Sequence, residues 1–187
     1  MERDYRIDST RVYCLGFSNG GGLADLLAGD YHASGRFAAF AMSSAAFYTD
    51  AALKEPLFEH ANPAYVPVPI LEFHGDADPV IHYDGKSTPD GVTFSLPDFF
   101  DIWAKRNGCS PAPKKEELYD GKVVKYAWHV DGGDGEEVLV HCLVHGFGHG
   151  WPTKRKLNND EQRHGPTCFE GTPIVLDFLS KFRLLEK

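Results

Sequence analysis

The sequence predicts an α/β fold in which helices flank a mixed, mostly parallel sheet, and three observations support this fold class. Runs rich in β-branched and aromatic residues alternate with helical patterns, as in α/β proteins. A glycine-rich turn joins the last two strand-like runs, so that pair is expected to be antiparallel. The chain has 187 residues, of which 42% are hydrophobic and 13% aromatic, which is enough to bury the core of one domain.

The strand-like runs share high β propensity and short length. They are Arg11–Phe17, Phe37–Met42, Val68–Phe73, Val123–Val130 and Val138–Val144. Between the last two lies Asp131–Gly135, which has the composition of a tight turn. We therefore predict a hairpin at the end of an otherwise parallel sheet.

Three segments have the pattern of helices. Gly22–Ala28 is closed by Gly29, and Pro97–Arg106 has proline in its first turn, where a missing N–H costs nothing. Thr172–Leu185 carries its apolar residues on one face. Each helix is expected to cover a face of the sheet.

The charge pattern excludes some classes of partner. The formal net charge is −8, and the basic residues are scattered rather than grouped, so we expect neither nucleic acid nor a membrane surface as a partner. No apolar run reaches the length of a membrane span, and the first ten residues are too charged for a signal peptide. A neutral or apolar small substrate fits this composition better.

A possible nucleophile lies where the first strand ends and the first helix begins. Gly16-Phe17-Ser18-Asn19-Gly20 fits the G-x-S-x-G pattern of a nucleophile elbow in the strand-to-helix context that the elbow requires. We predict Ser18 as the nucleophile, with Gly16 and Gly20 lacking side chains because helix and strand pass closely there. The backbone amide of Asn19 is predicted to donate to a developing oxyanion at the helix N-terminus.

Serine needs a base, and the base needs an orienting carboxylate, in the chain order Ser, Asp, His for this type of site. Asp76 and Asp78 follow the third strand-like run, and we expect Asp76 to cap the loop. His149 lies in a glycine-rich loop after the last strand, and Trp151 is expected to wall the site and contact substrate. The carboxyl ends of parallel strands would bring these loops together.

Two other features of the sequence admit different interpretations. His141, Cys142, His145 and His149 would be a zinc site if they lay on one helix, but the intervening glycines disfavour a helix. For the four cysteines, we predict a bridge between Cys109 and Cys142 from their positions after a helix and on a late strand.

Three motifs in order, GFSNGGG, HGDADPVIHYDG and HGFGHGWP, resemble the feruloyl esterase and polyhydroxybutyrate-depolymerase-like branch of carbohydrate esterase family 1. The resemblance implies an α/β-hydrolase fold and a catalytic triad of Ser18, Asp78 and His149, without metal or organic cofactor. It also implies an extracellular serine esterase that releases ferulate or related hydroxycinnamates from plant xylan, although this chain has no signal peptide. Acetyl xylan esterase and polyhydroxybutyrate depolymerase are the neighbouring activities.

The resemblance further implies a longer N-terminal part, because the elbow begins here at residue 16. We therefore expect residues 1–187 to be the C-terminal portion of a single α/β-hydrolase domain, without its N-terminal strands and second oxyanion donor. On that expectation the chain has little or no activity. The alternative function is that of a catalytically dead truncated remnant that acts as a binding module.

Overall fold

A computed structural model describes residues 4–49, 67–88, 91–155 and 167–184. Within these residues a six-stranded sheet has the order β1-β2-β3-β8-β7-β6, and a separate two-stranded ribbon pairs β4 with β5. The strands are β1 (Tyr13–Phe17), β2 (Ala39–Ser43), β3 (Ile70–Gly75), β4 (Ser87–Thr88), β5 (Gly91–Val92), β6 (Lys114–Leu118), β7 (Val123–His129) and β8 (Glu137–Val144).

The sheet is mixed and mostly parallel, as the sequence predicts. β1, β2, β3 and β8 run parallel to one another, whereas β7 pairs antiparallel with both β8 and β6. The turn at Gly132 and Gly135 uses positive φ angles of 73° and 89°, which glycine adopts without strain. The predicted hairpin between the last two strands is therefore confirmed.

One strand of the sheet was not predicted. β6 has the sequence KKEEL, and only Leu118 among its residues is partly buried. It lies at the edge of the sheet beside β7 and has solvent around both faces, so it lacks the apolar alternation that reveals a strand.

The helices are α1 (Asn19–Gly29), α2 (Leu96–Arg106) and α3 (Gly171–Ser180). α1 begins at Asn19, three residues before the predicted start at Gly22, because Ser18 is its N-cap residue. α2 begins at Leu96, where the Ser95 side chain accepts a hydrogen bond from the Asp98 N–H. α3 ends earlier than predicted, and the last predicted residue, Leu185, lies outside the described residues.

Two apolar clusters pack on opposite faces of the sheet. Alternate residues of β2 enter them, with Phe40 and Met42 on one face and Ala39 and Ala41 on the other. Helices α1 and α2 cover the first cluster, and α3 covers the second. In the part of the chain that the structure describes, no helix has the length and apolarity needed to cross a membrane.

The predicted bridge between Cys109 and Cys142 is wrong. Both thiols are free and buried, but Cys109 packs in the cluster under α1 and α2 while Cys142 packs in the cluster under α3. The sheet therefore separates the two sulfur atoms. Burial raises the pKa of the Cys142 thiol to about 12, so this cysteine is held in its neutral form.

Candidate active site

Ser18 occupies a sharp turn between β1 and α1. Its φ of 54° and ψ of −123° are unusual for a residue with a side chain. The Ser18 N–H donates to the carbonyl of Ser43 at 3.1 Å, and its own carbonyl accepts from Gly21 and Gly22 at 2.9 and 3.1 Å. These hydrogen bonds hold the strained backbone in place and leave the side chain partly exposed at the carboxyl end of the sheet.

The glycines around Ser18 have different roles from those predicted. A Cβ at Gly16 would overlap the backbone of Gly20, as expected for an elbow, but a Cβ at Gly20 would meet no atom within 4 Å. The prediction for Gly20 is therefore wrong, because the close approach on the helix side falls on the next two residues. At Gly21 and Gly22 a Cβ would overlap Ala45 and Ala46, which follow β2.

The Asp78 side chain is buried in the loop after β3, with 3% of its surface exposed. Its Oδ1 accepts from the N–H groups of Val80 and Ile81 at 2.8 and 2.9 Å, and its Oδ2 accepts from His149 at 2.9 Å. Burial by itself would raise the pKa of Asp78. The hydrogen bonds from His149, Ile81 and Val80 outweigh that effect and hold the pKa below its ordinary value.

His149 connects Asp78 to Ser18. The Nδ1 atom lies 2.9 Å from Asp78 Oδ2, and the Nε2 atom lies 3.0 Å from Ser18 Oγ. A carboxylate only accepts hydrogen bonds, so the proton of the neutral imidazole belongs on Nδ1 and the lone pair of Nε2 faces the serine. The structure thus brings three of the sequence-predicted site residues into one hydrogen-bonded chain.

The loop that carries His149 is anchored by residues that sequence reasoning missed. Ser43 and Ser44, at the end of β2, donate to the carbonyl of Gly150 at 2.7 and 3.3 Å. Gly75 lets the same loop cross β3, since a Cβ there would overlap the carbonyl of Phe147. No chemical motif marks these residues, because two serines in a small-residue run have many possible roles.

Asp76 lies outside the chain from Ser18 to Asp78. Its Oδ2 accepts from His145 Nδ1 at 2.7 Å, and its Oδ1 accepts from the Gly146 N–H at 2.7 Å. These contacts tie the loop after β3 to the loop after β8. The carboxylate predicted to cap its own loop therefore joins two loops instead.

The remaining predicted site residues, Asn19 and Trp151, lie outside this hydrogen-bonded chain. Asn19 is the first residue of α1, so no carbonyl of a preceding helical turn is available to its N–H. Trp151 is half-buried against the cluster under α3, and its indole N–H donates to Thr172 Oγ1 at 3.0 Å. Phe17 was not predicted, yet its ring centroid lies 4.9 Å from that of His149 and 40% of its surface is exposed.

The four residues of the possible zinc site have separate surroundings. His141 contacts Glu72 and Tyr83, His145 contacts Asp76, and His149 contacts Asp78 and Ser18. Cys142 points to the opposite face of the sheet, among the apolar side chains under α3. Among the described residues, no group of three or more His, Cys, Asp or Glu side chains has the arrangement of a metal site.

Comparison with known proteins finds two curated relatives. Feruloyl esterase B of Piromyces equi is 33% identical over 151 residues, which cover 76% of this chain and 25% of that protein. NocK of Nocardia uniformis subsp. tsuyamanensis, whose name assigns it provisionally to the esterases, is 27% identical over 161 residues, which cover 79% of this chain and 44% of that protein. The chain thus spans less than half the length of these relatives. No protein-family model matches it.

Among solved structures, the crystal structure of a single-substitution variant of Arabidopsis thaliana SOBER1 superposes with a TM-score of 0.50 at 12% sequence identity. The superposition covers 96% of this chain and 57% of that chain. Together with the parallel strand order and the flanking helices, it shows that the chain has an α/β-hydrolase fold.

Proposed function

We propose that the protein is a serine carboxylic ester hydrolase in which Ser18 is the nucleophile, His149 the general base and Asp78 the orienting carboxylate. The observation that carries the proposal is the position of the His149 ring, which lies within hydrogen-bond distance of both Asp78 Oδ2 and Ser18 Oγ. The two esterase relatives support the same reaction class.

In the acylation half, His149 Nε2 takes the proton of Ser18 Oγ while the oxygen attacks the ester carbonyl carbon. The resulting oxyanion accepts a hydrogen bond from the Asn19 N–H, where the dipole of α1 also favours negative charge. His149 then gives its proton to the leaving alcohol as the carbon–oxygen bond breaks. Asp78 stabilises the imidazolium that exists between these two proton transfers.

In the deacylation half, water replaces the alcohol. His149 removes a proton from the water, the hydroxide oxygen attacks the acyl carbon, and the carboxylic acid leaves as Ser18 Oγ takes back a proton. Both halves use only protein groups and water, so the reaction balances without a further reactant.

A Ser18→Ala variant tests this assignment. It is expected to lower kcat/KM for 4-nitrophenyl acetate by about 10⁴-fold or more, since no other group replaces the nucleophile. A fluorophosphonate probe should label the native protein at Ser18 and leave the variant unlabelled, as measured by peptide mass spectrometry.

The matched control is Ser180→Ala, which removes an exposed hydroxyl at the end of α3 that donates to the Asp177 carbonyl. This variant should keep the native rate and the native labelling. Native turnover by Ser18→Ala, or an absence of both turnover and labelling in the folded native protein, would refute the proposed function.

We further propose that the acyl group of the substrate is ferulate or a related hydroxycinnamate esterified to plant cell-wall xylan. One relative is named a feruloyl esterase. Two aromatic side chains offer surfaces for stacking with a phenolic ring. The exposed Phe17 ring lies beside His149, and the half-buried Trp151 indole lies in the loop that carries His149. An extracellular site of action belongs to this same proposal.

Competition between substrates tests the acyl group. Methyl ferulate is expected to have a higher kcat/KM than methyl acetate or a methyl 3-hydroxybutyrate dimer. Phe17→Ala should lower the preference for ferulate by about tenfold through lost stacking, with less effect on acetate. A higher kcat/KM for acetate would instead indicate an acetyl esterase, and one for hydroxybutyrate a depolymerase.

A further inference from the structure

Beneath the Asp78 loop lies a buried cluster of ionisable side chains that the proposed mechanism does not use. Glu72 and His74 are two residues apart on β3, and His141 faces Glu72 across the pair with β8. Glu72 and His74 are fully buried, and His141 is 2% exposed. Because burial of unpaired charge is very costly, the hydrogen bonds of this cluster determine where its protons lie.

The two contacts of the His74 ring each need a proton. Its Nε2 lies 2.8 Å from the carbonyl oxygen of Ile81, which can only accept, so Nε2 carries a proton. Its Nδ1 lies 2.8 Å from Glu72 Oε1. One more proton lies between this nitrogen and the carboxylate, and its location decides whether His74 is a cation.

The surroundings of Glu72 favour the proton on His74. His141 Nδ1 lies 3.0 Å from Glu72 Oε2, and His141 Nε2 lies 3.2 Å from the hydroxyl of Tyr83. A neutral His141 that donates to Glu72 and accepts from Tyr83 satisfies both contacts. Glu72 then receives one hydrogen bond at each oxygen, an arrangement that stabilises the ionised carboxylate.

Charge interactions act in the same direction. Burial by itself would raise the pKa of Glu72, but the charge of His74 and the hydrogen bonds from both histidines hold it below its ordinary value. Burial would likewise lower the pKa of His74, and the adjacent Glu72 raises it above its ordinary value. The hydrogen-bond geometry and the charge interactions thus both favour a charged pair of His74 and Glu72.

The cation lies next to the proposed catalytic carboxylate. His74 Nε2 is 3.6 Å from Asp78 Oδ2, the same oxygen that accepts from His149. Among the described residues, the pair also faces His149, Glu72 on β3 and Tyr83 in the loop after β3, whose ring centroid is 6.2 Å from that of His74. His141 on β8 contacts Glu72 from the other side. With His74 charged, Glu72 is neutralised and Asp78 keeps one negative charge to offset the imidazolium of His149.

We propose that His74 is a positioning residue of the esterase site: as a buried cation it keeps Asp78 ionised and fixes the Asp78 loop through the carbonyl of Ile81. Glu72 supplies the charge that holds the cation in place. The hydrogen-bonded chain from Ser18 to Asp78 thus continues through an ion-pair contact with His74, which is itself hydrogen-bonded to Glu72. This inference rests on the proposed function of Ser18, Asp78 and His149.

The test uses the double variant E72Q/H74Q. Glutamine at position 74 can still donate to Ile81, and glutamine at position 72 can still accept from His141, so the variant removes the cation while leaving the polar groups paired. The variant removes one positive and one negative charge, but His74 Nε2 lies 3.6 Å from Asp78 Oδ2 whereas Glu72 contacts only the two histidines, so the Asp78 carboxylate loses stabilisation. The acid limb of kcat/KM for 4-nitrophenyl acetate should therefore move to higher pH by about one unit, with kcat lowered and KM unchanged.

The single variant H74Q is the matched comparison. It leaves Glu72 buried without its cation, so its thermal midpoint should lie below that of E72Q/H74Q. A folded double variant with the native pH profile would show that His74 has only a structural role and would overturn the proposal.

A measurement on the native protein keeps the proposal testable even if neither variant folds. Nitrogen-15 NMR of the His74 ring, assigned through bonds from its backbone, should show both ring nitrogens protonated at pH 8. A neutral ring at that pH would overturn the proposal. Since this result is independent of turnover, failure of the Ser18→Ala test would refute the reaction class separately from the state of His74.

Discussion

At Ser18 a single residue combines backbone strain with the proposed reactive oxygen. A φ of 54° costs about 1 to 3 kcal/mol for a residue with a Cβ and persists only where the surroundings impose it. Here they do so through backbone hydrogen bonds to Ser43, Gly21, Gly22 and Ala46. The position of the hydroxyl is therefore determined by the end of β2 and the start of α1, rather than by the Ser18 side chain itself.

The glycines of the elbow allow a matched pair of substitutions. Gly16→Ala would force a methyl group into the Gly20 backbone, so we expect a loss of about 3 kcal/mol in the free energy of unfolding and a lower rate of probe labelling at Ser18. Gly20→Ala meets no atom and favours the helix, so its stability should equal or exceed that of the native protein. Urea unfolding measures both, and equal stability of the two variants would contradict this account of the turn.

The sequence identifies the proposed reactive residues more readily than the residues that hold them. Ser18, Asp78 and His149 each lie in a glycine-containing motif after a strand, and their order along the chain suggests their pairing. The roles of Ser43, Ser44, Glu72 and His74 depend on distances between strands. No spacing along the chain reports those distances.

Some strands can be predicted from the sequence more readily than others. The central strands β2 and β3 are buried along their whole length, and their apolar residues mark them in the sequence even though β3 also contains Glu72 and His74. The edge strand β6 consists mostly of exposed lysines and glutamates, so it has no hydrophobic pattern that would predict a strand. Its hydrogen bonds to β7 define it as a strand. Pairing across space, rather than local preference, makes this segment a strand.

The end of β2 supports the His149 loop through Ser43, and this contact can be tested with two buried serines. Ser43→Ala removes a donor 2.7 Å from the buried Gly150 carbonyl, so it should cost about 1 to 3 kcal/mol of stability and lower kcat for 4-nitrophenyl acetate. Ser34 is equally buried, but within the described residues its hydroxyl has no hydrogen-bond partner. Ser34→Ala should leave stability and turnover at or above native values, and equal losses in both variants would contradict the support role of Ser43.

At the scale of the whole molecule, the parallel part of the sheet explains why distant segments meet. β1, β3 and β8 all end at the same edge, which brings residues 18, 78 and 149 together although up to 131 positions separate them. The sequence predicts this convergence because it predicts the direction of the strands. It does not predict how the two faces of the sheet are packed, as the separation of Cys109 from Cys142 illustrates.

Global stability should depend on pH through Asp25, which joins α1 to α2. Its carboxyl is fully buried and accepts a hydrogen bond from Trp103 Nε1 at 3.0 Å. Burial raises the pKa of Asp25 to about 8, although the Trp103 hydrogen bond and the charge of Arg106 oppose the rise. Between pH 4 and 8 the folded protein therefore keeps a proton that the unfolded chain releases near its ordinary pKa of about 3.9.

The sign of this linkage follows from the raised pKa. Protonated Asp25 adds to the free energy of unfolding, and this contribution is fully present below the pKa of Asp25 in the unfolded chain. It is lost by about 1.4 kcal/mol per pH unit as pH rises toward the pKa of Asp25 in the folded protein. Asp25→Asn keeps an acceptor for Trp103 and removes the titration, so its free energy of unfolding should fall less from pH 5 to pH 8 than that of the native protein. Asp101→Asn, on the exposed side of α2, is the control and should keep the native pH dependence. Parallel pH profiles for Asp25→Asn and the native protein, measured by urea unfolding at each pH, would show that Asp25 is already ionised in the fold.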